Sequence, residues 1–181
     1  MVKFGTKAET LERLSGKCSH ASVLPLVYFS VGEWYTSVSS IWEKVSALEA
    51  DSWIVRSSAL NEDTVESSQA GKFDSIGDVH GKEEFEHAVE AVISSFEDGN
   101  PGNQVLVQPM LQDVRMCGVA FTVDPNTLGN YYVINYDRTG STSAITSGTG
   151  LESRLLYVFK GHEIFGGGQM KLYNCVVRWG N

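Results

Sequence analysis

Between Asp98 and Asn103 the chain runs Asp-Gly-Asn-Pro-Gly-Asn, its strongest cluster of turn-forming residues, and the spacing of apolar residues changes across it. Before the cluster, Phe85, Val89, Val92 and Phe96 recur at the period of an amphipathic helix. Beyond it, Val105-Leu106-Val107, Val119-Ala120-Phe121, Tyr131 to Tyr136 and Leu155 to Phe159 read as strands separated by turns. A chain that changes period in this way predicts an α+β fold. Its first subdomain, residues 1–98, is mixed, and its second, residues 104–181, is sheet-rich, with the boundary at the cluster.

Within the first part, Thr6-Lys7-Ala8-Glu9 is a T-x-x-E capping box that predicts a short helix from residue 7, closed by Ser15-Gly16. Val23 to Val31 reads as a strand with Pro25 near its start. Ser40 and Glu43 form a second possible box, with Ile41, Val45 and Leu48 at helical spacing. Trp53-Ile54-Val55 predicts a short strand ending at Arg56. Leu60 to Gly81 is polar and long for a loop, a class that is usually functional or mobile.

Composition bounds the partners. Fourteen Lys and Arg against 22 Asp and Glu leave a net charge of -8, so bulk charge does not favour nucleic acid or an anionic membrane. An anionic ligand needs a local concentration of cations and backbone N–H groups instead. Cys18, Cys117 and Cys175 are widely spaced and odd in number, which argues against a disulfide framework or structural zinc. With no apolar leader at the start and no stretch long enough to span a bilayer, the expectation is a soluble, cytoplasmic protein. His20, His80, His87 and His162 lack metal-ligand spacing, and no G-x-S-x-G elbow is present. No residue of this chain is therefore assigned a catalytic role.

Four segments suit an anionic nucleotide, each with a plainer alternative. Lys7 opens a helix, where N–H groups and the dipole favour phosphate; it could equally be a solvated first-turn lysine. Arg56, followed by Ser57, is directed to a strand end, where its planar fork fits phosphate or carboxylate; the alternative is an ion pair with Glu62 or Asp63. The small-residue turn Ser67-Ser68-Gln69-Ala70-Gly71-Lys72 lets backbone amides approach a triphosphate, or is a surface loop. Gln108-Pro109-Met110-Leu111 follows an apolar strand at a bend whose free amide and carbonyl suit adenine, or is an ordinary strand end. A rival reading makes His20, after Gly16 and Ser19, a phosphocarrier histidine.

Taken in order, these segments resemble the N-terminal nucleotide-binding region of the phosphoenolpyruvate synthase and pyruvate phosphate dikinase family. Gly5-Thr6-Lys7 to Leu11 resembles its G-G-K-x-x-x-L start, and Leu24-Pro25 to Val31 resembles the proline-led strand that follows. Val55-Arg56-Ser57-Ser58-Ala59, Glu62-Asp63 and Ser67 to Asp74 resemble V-R-S-S-A, E-D and S-x-A-G-Q-[YF]-D. Val105 to Met110 resembles V-x-V-Q-x-M, and Gly118 to Pro125 with Thr127 and Gly129 resembles G-V-A-F-T-x-[ND]-P-x-T-G.

The resemblance implies an ATP-grasp fold, incomplete at its C-terminal end. It places Lys7, Arg56 and Ser57 on the ATP phosphates, Gly71 and Lys72 in a phosphate-covering loop, and Gln108, Met110 and Leu111 against the adenine. Departures are Thr6 for the second glycine, Lys72 for glutamine and Pro109 for the usual acidic residue of the hinge. The family's Mg2+ ligands lie further downstream, so the metal is expected to be held outside this chain. The implied partners are ATP and the phosphohistidine and acceptor-binding domains of a longer chain, of which this is a fragment or a truncated relative. The implied reaction moves an ATP phosphoryl group to a catalytic histidine and then to a small acceptor, with little turnover by this chain alone. Tyr131 to Asp137 and Thr146 to Gly150 look closer to relatives encoded with surface-polysaccharide genes, including glutamine amide kinases. A degenerate, non-catalytic ATP-grasp module is the other alternative.

Overall fold

The computed structural model describes residues 4–60, 63–64, 67–68, 75–138 and 154–161, with only the backbone at 63–64 and 67–68. Contacts divide the chain into two units, Met1–Lys17 with Val23–Leu111, and Cys18–Ser22 with Gln112–Asn181. Both are built around antiparallel sheets, and with three helices the chain is α+β among its described residues. No helix among the described residues is long and apolar enough to cross a membrane.

The first unit holds a four-stranded sheet in the order β1-β6-β2-β5, with β1 at Val27–Ser30, β2 at Trp53–Ser58, β5 at Ser75–Val79 and β6 at Gln104–Pro109. Between β2 and β5, β3 (Asp63–Thr64) and β4 (Ser67–Ser68) pair as a small antiparallel ladder of their own. Strand alternation sorts the central residues onto two faces. Phe29, Val105, Val107, Val55 and Trp53 share one face and lie in the core under α2 (Val31–Ser46) and α3 (Gly81–Ser94). Gln104, Leu106, Gln108, Arg56 and Ser58 share the other, which α1 (Lys7–Leu14) approaches.

Under the helix pair, the rings interlock. Trp34 stacks on Phe29 at 5.6 Å, and Phe85 meets Trp34 edge-on at 5.8 Å and Trp42 at 5.5 Å. Trp42 in turn meets Trp53 edge-on at 5.6 Å. Phe85, Val89 and Val92, the residues that predict α3 from sequence, are all fully buried.

Two sequence expectations change. The turn at 98–103 is not a boundary but a folded knot inside the first unit. Asn103 is buried; its side chain accepts the Leu60 N–H at 3.1 Å and donates to Asp98 at 2.7 Å, and its carbonyl accepts the Val31 N–H at 2.8 Å. These bonds satisfy amides that would otherwise be stranded, one of them at the start of α2. The division between units falls after Leu111 instead. Likewise no new helix begins at Ser40. α2 starts at Val31 with a full capping box, in which Ser30 accepts from Glu33 and Glu33 reaches back to the Ser30 N–H. That N–H, and then the Ser30 hydroxyl, hold the Glu33 carboxyl below its ordinary range. α2 kinks at Ser37, next to Thr36, whose hydroxyl bonds back to the Glu33 carbonyl at 3.2 Å, while Val31, Trp34, Val38, Ile41 and Val45 keep one apolar stripe through the kink.

In the second unit, β7 (Cys117–Phe121), β8 (Tyr131–Asp137) and β9 (Arg154–Phe159) form an antiparallel sheet in that order. Gly118 is required by close approach, since a Cβ there would sit 2.7 Å from the Asn135 carbonyl oxygen. The β7–β8 connection is organised by Asp124. Its carboxylate accepts the Thr127 hydroxyl at 2.6 Å and the Asn126 N–H at 2.9 Å.

Phe85→Ala is expected to destabilise the first unit by about 3–5 kcal/mol through the lost area and the cavity left behind, read from urea unfolding followed by tryptophan fluorescence. In the second unit, the Thr127 hydroxyl and then the Asn126 N–H hold the Asp124 carboxyl below its ordinary range. A carboxyl depressed in the folded state contributes stability above its unfolded value and loses it as pH falls through the folded value. Thr127→Val should therefore move the Asp124 titration midpoint upward in 13C NMR and make the turn's acid loss begin at higher pH.

Candidate functional site

α1 is anchored to the end of β2. The Lys7 ammonium donates to the Ser57 carbonyl at 3.0 Å, and the Ala8 N–H donates to the Ser58 hydroxyl at 3.0 Å. Arg56 and Ser58 alternate onto the same face of β2, so Lys7 and Arg56 lie on one side of the sheet rather than on opposite sides. Two cations from segments 49 residues apart in sequence are thereby brought to a single strand.

Arg56 differs from expectation in one respect. It does not end its strand: β2 continues through Ser58, and Arg56 stands in register between Leu106 of β6 and Ser75 of β5. Its Nε is buried. Ser57 belongs to the opposite face, level with Val105, and is 1% exposed. Its hydroxyl is turned away from Lys7 and Arg56, and only its carbonyl takes part.

The helix N-terminus is also not the open amide cradle that the sequence suggests. The Ala8 N–H is taken by Ser58, the Glu9 N–H by the Thr6 hydroxyl at 3.2 Å, and the Thr10 N–H by the Thr6 carbonyl at 2.9 Å. The second half of the predicted box is absent, because the Glu9 carboxylate turns to Arg13 at 3.0 Å and to Gln104 at 3.4 Å. Positive charge at this helix end comes from the Lys7 side chain, with the Glu9 carboxylate beside it in the first turn.

At the bend after β6, the ladder to β2 runs one bond further than expected. The Met110 N–H donates to the Ser52 carbonyl at 2.8 Å. Gln108 is 6% exposed, and its side-chain amide lies 3.5 Å from the Leu24 carbonyl. The Met110 thioether lies against Gly77 of β5, where a Cβ would come within 3.3 Å of its sulfur. Among the described residues the Leu111 N–H makes no hydrogen bond, so it is the donor this segment keeps available.

Gly71 and Lys72 lie outside the described residues. His20 is exposed, and no hydrogen bond orients its ring among the described residues. No group of three or more His, Cys, Asp or Glu side chains that could hold a metal converges among the described residues. Sequence reading missed Ser58 and Gln104, which fasten α1, because a serine and a glutamine in strands carry no spacing signal of their own.

Hydrogen exchange should separate the two amides of the bend. Met110 is expected to be protected in the free chain, held by Ser52, and Leu111 to exchange at close to the open rate; comparable protection at both would contradict this geometry.

No curated protein matches the chain. Residues 33–100 match the family model described as the pyruvate phosphate dikinase AMP/ATP-binding domain. The matched span includes Arg56 and Ser57 and positions 71 and 72, whereas Lys7 and the bend at Gln108 lie outside it. The match supports that family and the binding of ATP or AMP.

Proposed function

We propose that this chain is the ATP-binding part of a phosphoenolpyruvate synthase-like phosphotransferase with an ATP-grasp fold. The observation that carries the reading is the Lys7 ammonium 3.0 Å from the Ser57 carbonyl, on the face of β2 that also bears Arg56. Arg56 itself falls within the span that matches an AMP/ATP-binding family model. Lys7 supplies a point charge and Arg56 a planar fork, a complementary pair for a polyphosphate. The bend from Gln108 to Leu111, on the same strand system, receives the base. Ser57 contributes its carbonyl as the seat of Lys7, and Gly71 and Lys72 cover the phosphates.

Phosphoryl transfer of this kind is chiefly positioning and charge neutralisation. In this reading the chain holds the triphosphate with its terminal phosphoryl group directed outward. A histidine on a separate domain accepts that group and passes it to a small acceptor. Magnesium would add charge neutralisation on the phosphates, but the described residues offer no group to hold it, and no step is assigned to it.

The test is a calorimetric titration of the chain with ATP, AMP and adenosine. Lys7→Ala and Arg56→Lys are each expected to weaken ATP about tenfold or more, the loss of one charge-assisted contact. Adenosine affinity should be unchanged in both. No response to millimolar ATP from the wild-type chain, or equal losses for ATP and adenosine, would count against the site.

A further inference from the structure

Ala8 is the one fully buried residue of α1, Leu11 and Leu14 are half-buried, and polar contacts add to the helix's hold on the sheet. Those contacts bracket Lys7. On one side, the Thr6 hydroxyl donates to the Gln104 side-chain carbonyl at 2.6 Å. On the other, the Ala8 N–H donates to the Ser58 hydroxyl at 3.0 Å. Ser58 and Gln104 are direct cross-strand partners of β2 and β6, so they form one rigid pair on the sheet. Gln104 also donates to Glu9 at 3.4 Å. The backbone on either side of Lys7 is therefore gripped by two adjacent side chains of the central strands, and its ammonium is delivered to the Ser57 carbonyl.

We infer that Ser58 and Gln104 are positioning residues for Lys7, setting where its charge stands along β2. This inference rests on the nucleotide reading above. Ser58 is fully buried, so it acts through α1 and not by touching a ligand. Losing its hydroxyl strands the Ala8 amide and releases the first turn; losing the Gln104 amide frees Thr6. In both cases the lysine remains but its ammonium is no longer held at one place. The cost falls on the phosphates and not on the base, because the bend at Met110 and Leu111 is fastened separately through Ser52.

The experiment compares ATP and adenosine binding to the full chain in Ser58→Ala, Gln104→Ala, Lys7→Ala and the two double variants with Lys7→Ala. Ser58→Ala and Gln104→Ala are each expected to weaken ATP about fivefold to tenfold, with adenosine unchanged and no further loss when Lys7 is already alanine. A general loosening of the fold would instead weaken both ligands. Gln104→Ala leaves β2 intact and reads the same coupling if Ser58→Ala does not fold. Equal losses for the two ligands, additive effects with Lys7→Ala, or no loss in either single variant would overturn the inference while leaving the nucleotide reading in place. If Lys7→Ala itself leaves ATP affinity unchanged, both fall together.

Discussion

The first unit depends on β6. All six of its residues pair with β2 on one side and four of them, Gln104 to Val107, with β1 on the other, and their alternation divides the unit into a dry face and a polar one. Val105 and Val107 face the aromatic cluster under α2 and α3, and Gln104, Leu106 and Gln108 face the side where α1 attaches. A slip of one residue would exchange these sets and put glutamines into the core. Asn103 prevents it. Buried just before the strand, it binds Leu60, Asp98 and Val31 at once, which ties the start of β6 to three fixed points.

Much of this was legible in the sequence. The 3.6-residue spacing of Phe85, Val89 and Val92 gave a helix whose buried face is the observed one, and all four extended segments beyond the turn cluster are strands. What misled was the turn cluster itself. Asp, Gly, Asn and Pro in a row mark a turn of the chain, and local composition does not distinguish a helix-to-strand turn inside one unit from a boundary between units. Only the partners of Asn103, drawn from residues 31 and 60, make the difference, and they are distant in sequence. No helix starts at Ser40 because Ile41 and Val45 continue the apolar stripe of Val31, Trp34 and Val38 across the kink at Ser37, and the capping box in use is that of Ser30 and Glu33.

For the candidate site, the sequence offers residue types, and their placement comes from the structure. Lys7 and Arg56 were singled out as cations at element ends, and they do share a sheet face. Arg56, however, is an interior strand residue, and Ser57 points to the other face, since alternation along β2 depends on a strand longer than its apolar run suggests. The amides of α1 looked available because capping by Ser58 comes from 50 residues away.

The attachment of α1 has a thermodynamic consequence. An eight-residue helix fastened to the sheet in part by side-chain hydrogen bonds is released at less cost than global unfolding, so the undocking of α1 is a local opening of the unit. Anything that engages Lys7 in the docked state shifts that opening equilibrium toward closure by mass action, and reciprocally a looser α1 lowers the apparent affinity by the fraction of time it spends undocked. The occupancy of the lysine and the order of the helix that carries it are linked quantities.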